Sequence, residues 1–276
     1  MDKKAETGHF DNAWMQVDAA EDPGFFVRFL DASRARALHI ARTNPQAAFA
    51  HLDLRPGLSV LDCGCGTGDM LAIIAEQTAP GRAIGGDIST TMLREARRRS
   101  VAGRTNLEFM PINVQALPFA EASFDRVLAT QLLVHVPDPR GALHEMCNVT
   151  ATSGRIAIAD MDWDSLVLGC SDSALGRRFT RLFSDGIRNG LVVREYCGWL
   201  REEGFANIKV IPQPFLFDQW DFVRKWMVEP SLKHFVATGG MSAEEAAVLS
   251  EDLAERSDSG RFFAASTFYT IVGDRV

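Results

Sequence analysis

The sequence is poor in the features that would assign it to several large classes of protein. It has only five cysteines in 276 residues, at positions 63, 65, 147, 170 and 197. That number is odd, the Cys63-x-Cys65 spacing is tighter than the usual C-x2-C knuckle, and no second pair matches it. A structural zinc site is excluded on that count, no metal is expected, and reduced thiols in a cytoplasmic protein are the expected state. Positive charge is scarce as well: 29 Lys and Arg against 36 Asp and Glu leave a net charge of −7. Nucleic-acid partners are thereby disfavoured, because phosphate binding leaves a basic footprint. The one basic run, Arg94 to Arg99, reads as the solvated face of a helix. No stretch approaches the roughly 18 uninterrupted apolar residues of a membrane span. Met1 to Ala20 lack the apolar centre of a signal peptide. What remains, at 46% hydrophobic and 24% charged residues, is ordinary globular composition. The length suits one large α/β domain, or a domain with a small cap.

Residues 1–21 read as a loose leader. From Asp22 the apolar residues Phe26, Phe29, Leu30, Ala37, Leu38 and Ala41 recur at helical spacing up to Asn44-Pro45, and a short helix is expected over 46–52. After the turn Arg55-Pro56-Gly57, strand and helix patterns alternate. Strands are expected at 58–63, 82–87, 107–111, 124–130, 154–160, 207–211 and 261–272. Helices are expected at 69–77, 90–99, 140–150 and 191–203. This order implies an α/β fold, a doubly wound, seven-stranded, mostly parallel sheet. Two helical stretches interrupt it, about 171–190 and 218–256, the second containing the capping box Ser242-Ala-Glu-Glu245. The expected organisation is a helical segment over 1–52, a ligand-binding core over 53–165, and the rest of the sheet over 166–276 with the inserted helices as a cap.

Open α/β sheets bind ligands beyond the carboxyl ends of their strands, where the strand order reverses. The first strand-to-helix loop, Asp62-Cys63-Gly64-Cys65-Gly66-Thr67-Gly68, falls there. Its alternate glycines let the backbone turn sharply and approach a ligand without a Cβ in the way. A plain tight turn is the bland reading, which three alternate glycines after an acid make a poor one. A dinucleotide fingerprint would need a third glycine where Asp69 stands, and Asp69 would repel a pyrophosphate; no Gly-Lys-Ser or Gly-Lys-Thr follows to make a P-loop. An acid-flanked loop without phosphate chemistry suits a cationic ligand with an amino-acid end, and S-adenosylmethionine is one. Asp87 ends the second strand 23 residues after Gly64. A carboxylate there can accept from both ribose hydroxyls, and the competing role of helix cap can be filled by Ser89.

Asp62-Cys-Gly-Cys-Gly-Thr-Gly68 followed by Gly86-Asp87-Ile-Ser-Thr-Thr-Met92 resembles the class I S-adenosylmethionine-dependent methyltransferases, in particular their ubiquinone/menaquinone-type and "type 11" small-molecule branch. Leu117 to Asp125 and His135-Val-Pro-Asp138 extend the resemblance, which covers about residues 55–165. It implies a Rossmann-like methyltransferase fold and a cofactor site. In that site Asp62, Gly64, Cys65, Gly66 and Gly68 hold the methionine portion and Asp87 the ribose. Ile88 or Met92 packs on the adenine, Asn113 and Val114 meet its amine edge, and Gln131 sits beside the sulfonium. Asn113 stands where the family usually has an acid, though its side-chain carbonyl can still accept from an amine.

Methyl transfer needs a base only when the acceptor must lose a proton. His135, after the fourth strand, is the candidate base, although His at this place also serves packing. Asp160 and Asp162, with Asp164 beyond them, are candidates for orienting an acceptor hydroxyl or assisting the histidine. Trp163, Trp220 and Trp226 are the expected walls of an acceptor pocket, the last two within an apolar stripe that reads equally as core. The expected reaction is methylation at O, N or C of a small apolar or aromatic metabolite. A second copy in a homodimer is an open option. The competing readings are a cofactor-binding protein of the same fold doing cyclase-type or regulatory work and, further off, a nicotinamide oxidoreductase.

Overall fold

In the computed structural model, residues 11–31, 48–100 and 105–276 are described. The continuation of the first expected helix beyond residue 31 and the first residues of the 46–52 helix lie outside them.

Seven strands form one sheet in the order β3-β2-β1-β4-β5-β7-β6. They are β1 (Val60–Cys63), β2 (Ala83–Asp87), β3 (Leu107–Pro111), β4 (Phe124–Thr130), β5 (Thr150–Leu168), β6 (Phe205–Leu216) and β7 (Ala264–Arg275). The first five in that order pair in parallel, and β7 runs antiparallel to both β5 and β6. The sheet is thus the expected α/β one. The order reverses between β1 and β4, so the loops after β1, β2 and β4 open at one edge.

The helices are α1 (Asp11–Met15), α2 (24–31), α3 (Asp69–Thr78), α4 (Thr90–Arg99), α5 (Pro139–Val149), α6 (Ser173–Asp185), α7 (Tyr196–Glu202), α8 (Trp220–Val223), α9 (Glu229–Ala237) and α10 (Ala243–Asp258). The central strands are buried on both faces, which is why β1 reads as an unbroken apolar run except for Asp62. One face packs Leu61, Val127, Ile156 and Ile158 against α5 and α7, and the other packs Val60, Leu128 and Ala157 against Leu71 and Ile74 of α3. A further core, built on Phe179, Val228, Leu249 and Leu253, holds α6 and α8–α10 together as a helical layer.

Several boundaries differ from the sequence pattern. Strand β5 runs to Leu168 rather than Asp160, because its two inward acids find partners in Tyr196 and Arg194 inside the fold and β7 continues to pair with it past a register shift between Asp162 and Val167. Strand β6 extends to Leu216 despite Pro212 and Pro214. It is an edge strand, where a missing N–H leaves no ladder bond unmade on the open side. The 191–203 helix is broken into a single 3-10 turn, Val192–Arg194, and the short α7. The leader is structured from Asp11 onward: α1 is followed by a 3-10 turn at Val17–Ala19, because Trp14 and Val17 have apolar partners in α2.

Candidate cofactor and acceptor site

The loop after β1 carries positive φ at Gly64 (74°), Gly66 (53°) and Gly68 (79°), a run only glycine takes without strain. It is also tightly overlaid. A Cβ on Gly64 would lie 2.9 Å from Leu132, and one on Gly68 would lie 2.7 Å from the Phe109 ring. The amides of Gly64 and Cys65 donate to the Gly86 carbonyl at 2.8 and 3.0 Å, which ties the loop to the end of β2. The Gly66 amide donates to Asp87 Oδ2 at 2.9 Å. Asp87 Oδ1 accepts from the Ser89 amide at 2.9 Å. Ser89 itself caps α4, its hydroxyl accepting from the Met92 amide. Asp87 is therefore not the helix cap. With two of its roughly four lone-pair positions used, it retains acceptor capacity at the loop.

Beneath the loop, Asp62 is only 3% exposed. Among the described residues its carboxylate has no hydrogen-bond donor. Burial, then the charge of Asp87, pushes its pKa up to about 8. Asp87 is raised too, chiefly by burial, against the pull of the Ser89 and Gly66 amides. Burial likewise raises the thiols of Cys63 and Cys65, so neither is a ready nucleophile. An unpaired buried carboxyl beside a second one is costly unless a cation meets it, and the ammonium and sulfonium of S-adenosylmethionine are cationic.

The remaining expected cofactor residues divide. Ile88 is 43% exposed and presents apolar surface beside Asp87, whereas Met92 is buried against Val17 and Phe26. Val114 is buried. Asn113 is exposed, and its Oδ1 accepts from the Gln115 amide at 3.0 Å, closing a turn. Gln131 is exposed with φ of 52°, and its amide donates to the Ala159 carbonyl at 2.7 Å.

The acids on β5 are engaged internally. Asp160 is fully buried. Its Oδ2 accepts from the Tyr196 hydroxyl at 2.5 Å, and Oδ1 makes no full hydrogen bond among the described residues. Burial lifts its pKa to about 7, opposed by the Tyr196 hydroxyl and the nearby amides of Leu133 and Val134. Asp162 is forked by Arg194 at 2.9 and 3.0 Å, and the same guanidinium reaches Asp164 at 3.0 Å. No group of three or more potential metal ligands occurs among the described residues.

The three tryptophans expected to wall a pocket do not meet. Trp163 stacks on Phe217 and meets Phe183 edge-on inside the helical layer, and Trp220 lies on Phe262. Of the three, Trp226 alone reaches the N-terminal segment among the described residues, with ring centroids 4.4 Å from Phe25 and 5.5 Å from Phe29. Phe29 also contacts Phe222 and Trp14, and Trp14 stacks on His135 at 5.8 Å. Leu30 of α2 lies 3.3 Å from where a Gly66 Cβ would be. An aromatic layer thus runs from the glycine loop to His135. Sequence reasoning missed Trp14, Phe25 and Phe29 as part of it; the signal was the clustering of large aromatics in an otherwise polar leader. It also missed Asp18, whose carboxylate accepts from the Ser89 and Thr90 hydroxyls and the Thr90 and Thr91 amides, at 2.7 to 3.0 Å, at the start of α4.

Residues 54–185 match the family model described as a methyltransferase domain. An uncharacterised 37.1 kDa protein in a transposon of Streptomyces fradiae is 33% identical over 84% of this chain and 67% of its own length. A fungal O-methyltransferase of Aspergillus sclerotiorum is 35% identical over 58% of this chain and 59% of its own. The matches to this enzyme, to a methyltransferase of Streptomyces halstedii and to a demethylmenaquinone methyltransferase span between 41% and 59% of those proteins. Among solved structures, the YcgJ protein of Bacillus subtilis superposes with a TM-score of 0.57 at 20% identity, over 82% of this chain and 95% of that one, a likeness of fold. The glycine loop, the acid ending β2, the sheet order and the matched domain agree, and the chain belongs to the class I S-adenosylmethionine-dependent methyltransferases.

Proposed function

We propose that this protein transfers the methyl group of S-adenosylmethionine to a small, apolar or aromatic acceptor held under its N-terminal segment. The observation that carries the reading is the glycine loop pinned through Gly66 to Asp87, with the unpaired Asp62 carboxyl buried beneath it. The cofactor, when bound, supplies an electrophilic methyl on a sulfonium. The chain's own residues bind, orient and exclude water. Asp62 meets the cationic end, and Asp87 offers its remaining acceptor positions to the ribose hydroxyls. Ile88 and Val114 give apolar surface, and Asn113 and Gln131 line the rim after β3 and β4. The layer of Trp14, Phe25, Phe29, Phe222 and Trp226 covers the edge where an acceptor enters, and its lack of charge suits a flat apolar molecule.

His135, stacked under Trp14, would take the proton of an acceptor hydroxyl. Asp160 and Asp162, held by Tyr196 and Arg194, act on the site by fixing the loop and strand around it rather than by touching an acceptor.

Calorimetric titration with S-adenosylmethionine tests the assignment. Asp87→Ala removes both a ribose acceptor and the loop pin, and at about 1.5–3 kcal/mol per charged hydrogen bond it should weaken binding by at least 100-fold. Unchanged affinity refutes it. Release of S-adenosylhomocysteine with a phenolic acceptor present, and its absence without one, separates methyl transfer from mere cofactor binding or cyclase-type chemistry.

A further inference from the structure

The loop after β4, which carries His135, has no regular secondary structure of its own, and Leu133, Val134 and Val136 within it are buried. Irregular backbone in a core must find partners elsewhere, because an unpaired buried carbonyl is costly. Two of the loop's carbonyls flank His135. Leu133 O and Val136 O both accept from the single side-chain amide of Asn189, at 3.0 and 2.7 Å. The His135 amide closes the turn on the Leu132 carbonyl at 2.9 Å. From the other side, the buried Asp160 carboxyl faces the Leu133 and Val134 amides and is itself held by Tyr196.

Asn189 lies in the link between α6 and the Val192–Arg194 turn. That link is anchored where the Trp163 amide donates to the Gly190 carbonyl at 3.0 Å, and where the Val192 amide donates to the Asn189 carbonyl at 3.0 Å. Ile187, two residues earlier, packs against both the sheet core and the helical-layer core. The link is therefore built on the α6 side and ends on the loop of the candidate base.

We propose that Asn189 is a positioning residue for His135: one carboxamide, donating both protons to the carbonyls on either side, sets the direction of the imidazole under Trp14. The alternative role, satisfying two buried carbonyls for stability alone, would leave the imidazole environment and its share of turnover untouched. The geometry favours positioning because the two bonds bracket one residue, and a group held from both sides cannot rotate with the loop. A catalytic group displaced by about 1 Å loses on the order of 100-fold in rate.

The inference rests on the reading of His135 as the base, and the test keeps the two apart. Asn189→Ala removes both donors, Asn189→Asp keeps the shape but presents oxygens to the carbonyls, and Asn189→Ser keeps one donor. With a phenolic acceptor, the Ala and Asp variants should turn over about 10–100-fold more slowly, the Ser variant falling between. Affinity for S-adenosylmethionine should stay within about twofold, because among the described residues no Asn189 hydrogen bond reaches the glycine loop. In a His135→Ala background, Asn189→Ala should cost nothing further. The His135 imidazole Hε1 resonance, assigned by its absence in His135→Ala, should shift in each Asn189 variant without S-adenosylmethionine or acceptor present. Where His135→Ala itself impairs turnover, wild-type turnover in Asn189→Ala, an equal loss in both backgrounds, or an unmoved His135 resonance would overturn the proposal. If His135→Ala alone keeps full turnover, the base assignment falls and the resonance decides: a shift upholds positioning of His135, and no shift ends it.

Discussion

Consider replacing Asp62 by Asn, a change of one charge at nearly constant shape. In the free protein Asp62 is buried without a donor among the described residues, beside Asp87, and its pKa is lifted to about 8. At pH 6.5 the site therefore holds a proton, which belongs to the Asp62–Asp87 pair rather than strictly to either member. A cationic cofactor end binds best to the ionised carboxylate, so binding must expel that proton. Below pH 8, affinity should fall about tenfold per pH unit, equivalent to about 1.4 kcal/mol per unit. From pH 8, where the carboxyl is half ionised and the cofactor ammonium about half charged, to pH 6 the wild-type protein should lose about 20-fold in affinity. Above pH 8 the cofactor's own α-ammonium, with an ordinary pKa near 7.7–8.0, begins to neutralise, and the curve should turn over. The ratio of wild-type to Asp62→Asn affinity cancels that second effect. Calorimetry at pH 6.5 in two buffers of different ionisation enthalpy should count about one proton released per cofactor in wild type and markedly fewer in the variant.

Stability supplies the opposite sign. A carboxyl whose folded pKa is raised contributes stability that is full below its unfolded pKa near 3.9 and is lost as pH rises to about 8. Ligand-free Asp62→Asn should therefore melt above wild type at pH 8.5, with the gap closing toward pH 4, while binding cofactor more weakly at pH 8.5. A wild-type affinity flat between pH 6 and 8, or an equal proton count in the variant, would refute the reasoning.

Two other perturbations test the frame around the site. Gly68→Ala places a Cβ at φ 79° and 2.7 Å from the Phe109 ring; left-handed strain and overpacking together should cost about 2–5 kcal/mol, read as a drop in Tm and loss of cofactor binding. A variant that melts like wild type would show that the loop has room. Asp18→Ala removes four acceptor contacts at the start of α4. Hydrogen exchange in a peptide covering 13–31 should accelerate at pH 7. Hydrogen bonds from Thr90, Ser89 and Thr91 outweigh desolvation and hold Asp18 far below the usual carboxylate range. In wild type this latch should therefore persist as pH falls through 4, weakening only at more acidic pH. Unchanged exchange in the variant would mean the aromatic contacts alone hold the segment.

The loop and strand end on which the proposed cofactor site rests were legible because their constraints are local. Gly64, Gly66 and Gly68 must be glycine for backbone reasons, Asp87 must end β2, and both constraints are written within about thirty residues of sequence. The parallel sheet was legible for a similar reason: each central strand is buried on both faces and reads as an apolar run. The errors came where a residue's partner lies far along the chain. Asp160 and Asp162 looked like a polar strand end because nothing near them announces Tyr196 or Arg194, more than thirty residues on. Once those partners are in place the acids no longer end the strand, and β5 runs eight residues past Asp160.

The acceptor side shows the same limit more strongly. Trp163, Trp220 and Trp226 are indistinguishable by pattern, all large aromatics on or near the inserted helices. Only the tertiary fold separates Trp226, which meets α2, from the two that complete the helical layer. The leader was read as loose because its polar residues dominate the average. Yet Trp14 and Asp18 make contacts on the sheet edge, one with His135 and the other at the start of α4. Between them the segment touches the loops after β1, β2 and β4, the three that open at the switch point of the sheet. On the proposed reading, a segment so placed would govern entry of the acceptor. On that reading too, the residues that choose the acceptor would sit not in the motif that identifies the family but in residues 11–31 and the Trp220–Val228 region, where aromatic contacts replace any local signature.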